Sequence, residues 1–66
     1  MATGTVKMYD AEKGIGWICP DQDGPDVFVH YSSFKGGIRR LEDGERVEFQ
    51  LTQGTRGPQA DRIFVV

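Results

Sequence analysis

Apolar and polar side chains alternate with a period of two along most of this chain, the spacing that sends successive side chains to opposite faces of a strand. Arg46 to Thr52 shows it most cleanly, with Val47, Phe49 and Leu51 on one face and Arg46, Glu48 and Gln50 on the other. Lys13-Gly14-Ile15-Gly16-Trp17-Ile18 and Val27-Phe28-Val29-His30-Tyr31 follow the same rule and predict two further strands. Thr5 to Tyr9, with Val6 inward, and Ala60 to Val66 bring the number to five. Polar, glycine-rich or proline-rich breaks separate them at Asp10 to Gly14, Pro20 to Pro25, Lys35-Gly36-Gly37 and Gln53 to Pro58. Ser32-Ser33 is placed to cap one helical turn, and no segment carries the 3.6-residue period of a longer helix. Five short strands with close-set turns predict an all-β fold. A five-stranded antiparallel Greek-key barrel of the OB type suits both count and length, with residues 1–66 as a single domain. Closing the sheet removes its adhesive edges.

If the two glycine- and valine-bearing strands pair, their faces differ sharply. Gly16, Ile18, Val27 and Val29 make one small, aliphatic side fit for burial, while Ile15, Trp17, Phe28 and His30 make the other. A small domain gains no stability by showing Trp and Phe to water, so this second side is expected to be an exposed binding patch. Flat π-faces beside a cation, here Lys13, suit the unstacked bases of single-stranded nucleic acid. Tyr31 and Tyr9 read equally well as further platforms or as partly buried rings. Gly14 and Gly16 begin like a dinucleotide fingerprint, but Cys19-Pro20 follows and opens no helix, so close chain approach explains them better.

Composition narrows the chemistry. Sixty-six residues sit near the lower limit for folding without staples. A core of this size is not expected to enclose a typical ligand pocket of roughly 300 Å³ or more. One cysteine and one histidine complete neither a disulfide nor a zinc site, and no Ser-His-acid set or carboxylate pair has a cleft to work in. The chain is therefore expected to be no enzyme, with no metal, no cofactor and no small-molecule substrate. It has no apolar run of membrane-spanning length and no signal-like N-terminus, so a cytoplasmic monomer without membrane contact is the expectation. The net charge of −2 argues against a polyanion partner until its distribution is considered. Acids cluster at Asp21, Asp23 and Asp26 and again from Glu42 to Glu48, whereas Lys7, Lys13, Lys35, Arg39, Arg40 and Arg56 lie mostly elsewhere. Such a local basic rim can steer a polyanion.

The two central runs resemble the paired ribonucleoprotein motifs of the cold-shock domain, usually K-G-F-G-F-I and V-F-V-H-F or V-F-V-H-Y. The likeness extends to Gly4-Thr5-Val6-Lys7, Asp26, Leu41-Glu42-Asp43-Gly44 and Arg56-Gly57-Pro58-Gln59-Ala60, and so to nearly the whole chain. The second motif is intact. In the first, Ile15 and Trp17 stand where the family has phenylalanines; Met8 replaces a tryptophan, Ile38 a loop aromatic and Asp10 a neutral amide. The resemblance implies a bacterial-type protein that binds single-stranded RNA or DNA with little sequence preference. Such a protein acts as an RNA chaperone, holding transcripts unfolded and so affecting transcription and translation. It implies stacking on Trp17, Phe28, His30 and Tyr31, with Met8, Tyr9, Ile15 and Ile38 at neighbouring subsites. Asp26 would bond a base edge, and Lys7, Lys13, Arg39 and Arg56 would meet phosphates, with Lys35 and Arg40 as weaker additions. The alternative is a protein-docking or weakly self-associating surface built on Met8, Ile15 and Ile38, because aliphatic groups suit a protein surface better than bases.

Overall fold

The computed structural model describes residues 1–66. Its strands are β1 (Ala2–Asp10), β2 (Ile15–Pro20), β3 (Val27–His30), β4 (Arg46–Gly54) and β5 (Gly57–Val65). A single 3-10 turn, Tyr31–Ser33, follows β3. The strands close in the order β1-β2-β3-β5-β4, so each has two neighbours and no edge is left open. All pairs are antiparallel except β3 with β5, which meet in parallel at Phe28 and Gln59. The barrel is therefore mixed rather than wholly antiparallel. Parity demands it: strand direction cannot alternate all the way round a closed ring with an odd number of members.

Nine buried residues fill the interior: Val6, Ile18, Val27, Val29, Leu41, Val47, Phe49, Ala60 and Ile63. Gly16 is also buried, and a Cβ there would lie 2.5 Å from the Met8 carbonyl oxygen of the neighbouring strand. Close approach, not phosphate cradling, is what this glycine permits. Two bulges break the period of two. In β1 the register slips between Val6 and Met8, so that Val6 points in, Lys7 and Met8 both point out, and Tyr9 turns back toward the core. In β5 the register slips opposite Glu48 and Gln50, where Arg62 takes φ 57, the one non-glycine residue at positive φ.

Leu51, expected inward with Val47 and Phe49, is 52% exposed. The pairing of β1 with β4 stops at Ala2 and Phe49, so β4 outruns the strand that would have covered it. Leu51 and Phe49 instead help line an open cleft of about 400 Å³ with Met1, Ala2, Pro20 and Val27. This cleft is open at the surface, whereas the expectation concerned a pocket enclosed by the core. The space lies between the loops and the barrel wall and is not hollowed from the filled interior. The predicted turn at Gln53 to Pro58 shrinks to Thr55-Arg56, because Gly54 and Gly57 still pair. No helix is long and apolar enough to cross a membrane.

Candidate nucleic-acid interface

Registers across β1, β2 and β3 build the outer face in two rows. Met8 pairs with Trp17 and Trp17 with Phe28; one row along, Ile15 pairs with His30. Trp17 and Phe28 meet edge to face, with centroids 5.4 Å apart at 67°. His30 and Tyr31 lie 4.4 Å apart at 31°, and Tyr31 remains 58% exposed where the chain leaves β3. Its ring rests on Gly14, where any Cβ would collide with it, and its backbone N–H donates to the Gly14 carbonyl at 2.9 Å. The turn before β2 thus fixes a ring that follows β3. Asp10 shapes that turn, its carboxylate accepting from the N–H groups of Glu12 and Lys13 at 3.0 and 3.2 Å.

Beside Trp17 a shallow groove of about 410 Å³ opens between Lys7, Met8, Asp26 and Arg56, with Pro25 and Pro58 on its flanks. The two prolines were visible in the sequence only as breaks between strands. Lys7 donates to Asp26 at 2.9 Å, and that bond raises the affinity of its amine for a proton. Arg40 pairs with Glu42 at 3.1 Å. Lys13, Lys35, Arg39 and Arg56 are exposed and make no ion pair. His30 is oriented from behind. Its Nδ1 accepts the Ser32 N–H at 3.2 Å and lies 2.9 Å from Ser32 Oγ, which leaves the proton of the neutral ring on Nε2.

Three expected members stand differently. Phe28 is only 7% exposed, although it belongs to the outer row and not to the interior cluster. The Arg56 guanidinium lies over its ring, 5.1 Å from the centroid. Tyr9 packs inward on Phe34 at 5.6 Å, turned there by the β1 bulge; burial pushes its phenol pKa up, against an opposing effect of Arg40. Ile38 is half-buried against the core and is not a free loop side chain. Met8, Ile15, Trp17, Phe28, His30, Tyr31, Lys7, Asp26 and Arg56 are brought onto or around one face. Lys13 stands in the turn that feeds it, and Arg39 on the long loop 34–45. No cluster of His, Cys, Asp and Glu is arranged to hold a metal ion.

A family model described as the 'cold-shock' DNA-binding domain matches residues 2–66. Among curated relatives, cold shock protein ScoF of Streptomyces coelicolor is 53% identical over 64 residues, covering 96% of each chain. A cold shock protein of Arthrobacter globiformis is 51% identical over the full length of both. A solved structure titled drosophila Unr CSD456 superposes with a TM-score of 0.82 over 98% of this chain, at 23% identity. This chain spans 26% of that longer one, and the likeness speaks to the fold alone.

Proposed function

The chain belongs to the cold-shock domain family, a family of nucleic-acid-binding domains, and on that premise we propose that it binds single-stranded RNA or DNA with little sequence preference. The observation that carries this reading is the groove beside Trp17, where an indole face adjoins Lys7 and Arg56 in a space of about 410 Å³. Bases would stack on Trp17, with His30 and Tyr31 extending the platform, while Lys13, Arg39 and Arg56 meet phosphates and Lys7 stays bonded to Asp26 at the edge of the groove. Stacking is indifferent to base identity because every base has a π-face. The mechanism is passive. A strand held extended on the face is removed from pairing, which is how an RNA chaperone in the cytoplasm would keep transcripts open.

The docking alternative loses ground because Ile38, one of its three aliphatic residues, packs against the core. Titrating oligothymidine and oligouridine strands while following Trp17 emission tests the proposal directly. Saturable quenching is expected, since the chain has one tryptophan and it borders the groove. A strand shown by another method to bind, yet leaving the emission unchanged, would remove Trp17 from the site.

A further inference from the structure

Phe28 carries an intact motif position and pairs with Trp17, yet it contributes nothing to the wall of the groove that Trp17 lines. Trp17 meets its ring at the edge, and the Arg56 guanidinium lies over its face. Arg56 sits at the tip of the β4–β5 hairpin, in a two-residue turn between Gly54 and Gly57, and Gly57 has φ 103. Its guanidinium makes no ion pair and no hydrogen bond, and it lies 5.1 Å from the centroid of the Phe28 ring. A cation–π contact at the surface is weak enough to open thermally, and glycines on either side leave the tip free to follow. The ring and the lid are also matched to the same ligand: a base stacks on Phe28, and a guanidinium displaced from it stays close enough to meet the adjoining phosphate.

We infer that Arg56 is a lid on Phe28: it covers the ring in the free protein and is displaced by a base when a single strand binds. Arg56 then moves from ring to phosphate, and Phe28 becomes a platform only in the complex. The inference rests on the proposed function but has a signature in the free protein as well. The aromatic ring current shifts the resonances of the Arg56 δ-methylene and Nε–H in the free chain. Phe28→Leu, which keeps bulk beneath the hairpin, abolishes that shift.

The decisive experiment is a double-mutant cycle on oligothymidine binding at fixed salt, with Phe28→Leu, Arg56→Ala and the double variant, each checked for an unchanged melting cooperativity. Arg56→Ala alone has opposing effects, losing a phosphate contact and unmasking the ring, so its single value decides nothing. With a lid, Phe28→Leu weakens binding more in the Arg56→Ala background than in the wild type, by roughly twofold to fivefold for a surface cation–π contact. Saturation with the strand also abolishes the ring-current shift on Arg56. An equal loss in both backgrounds overturns the lid, because ring and guanidinium would then act independently. A smaller loss in the Arg56→Ala background overturns it too, since the guanidinium would then lie between base and ring. If the wild-type chain keeps the Arg56 shift but binds no strand, the nucleic-acid reading itself fails and takes the lid's opening with it.

Discussion

Ile15 is the residue at which this face departs most consequentially from a continuous aromatic stack. It lies two residues from Trp17 on the same side of β2 and directly across from His30. A phenylalanine there would bridge Trp17 to His30 and Tyr31. Stacking on an aromatic is worth roughly 1–3 kcal/mol per base by truncation, and about 1 kcal/mol is expected back from Ile15→Phe. Titration with oligothymidine should therefore show an affinity gain of about fivefold. Met8→Trp should act in the same direction, because Met8 is 42% exposed and pairs with Trp17. Ile38→Phe should not. That side chain packs against the core, so a ring placed there costs stability by overpacking before it offers a platform. A flat affinity at positions 8 and 15, with self-association altered instead, would hand the face to the docking alternative.

At the scale of the elements, the strands were legible wherever local alternation decides the outcome. The small aliphatic sides of β2 and β3, with Gly16, Ile18, Val27 and Val29, are buried as their period predicts. The opposite side was only half legible. Nothing local announces that the β1 bulge turns Tyr9 inward, since one extra residue reverses every later position of the strand. Nor could β2 and β3 alone reveal the cover on Phe28, which arrives from the hairpin tip at Arg56. The acids after β2 read as a solvated turn, yet Asp21, one residue past β2, bridges β1 and β4. Arg46 on β4 donates to both of its carboxylate oxygens at 2.7 Å and to Thr5 Oγ1 on β1 at 2.9 Å, while Thr3 Oγ1 donates to Asp21 at 2.6 Å. The Arg46 bonds, then the Thr3 bond, hold the Asp21 carboxyl well below the usual carboxylate range. A depressed pKa in the folded state means that the clamp stabilises the fold at pH values above the unfolded value of about 3.9. That contribution fades as the pH falls from there toward the folded value. Asp21→Asn should lower the melting temperature at pH 7, and the gap to the wild type should narrow on acidification from pH 5 to pH 2. The clamp is exposed, so the effect is modest. A gap that is constant with pH would mean the carboxylate charge is not what the clamp uses.

For the molecule as a whole, the question is how a chain of net charge −2 attracts a polyanion. Much of the charge is already spoken for. Asp21 is held by Arg46, Lys7 by Asp26 and Arg40 by Glu42, which leaves Lys13, Arg39 and Arg56 as the unpaired cations among the four main predicted phosphate contacts. With about three such contacts and a slope near −0.7 per phosphate on single strands, log affinity should fall against log salt with a slope of about −2. The Lys7–Asp26 pair makes this adjustable. Asp26→Asn removes the carboxylate at the groove and frees Lys7 to meet a phosphate, so the slope should steepen to roughly −2.8, one further contact. The slope is the informative quantity because Asp26 also borders the groove and its loss can change affinity at any one salt concentration. Binding isotherms of an oligothymidine strand between about 50 and 300 mM salt, for the wild type and Asp26→Asn, measure both slopes. A wild-type slope near zero would make the basic rim irrelevant to binding. An unchanged slope in the variant would show that Lys7 already faces phosphate in the complex, its bond to Asp26 broken when the strand arrives.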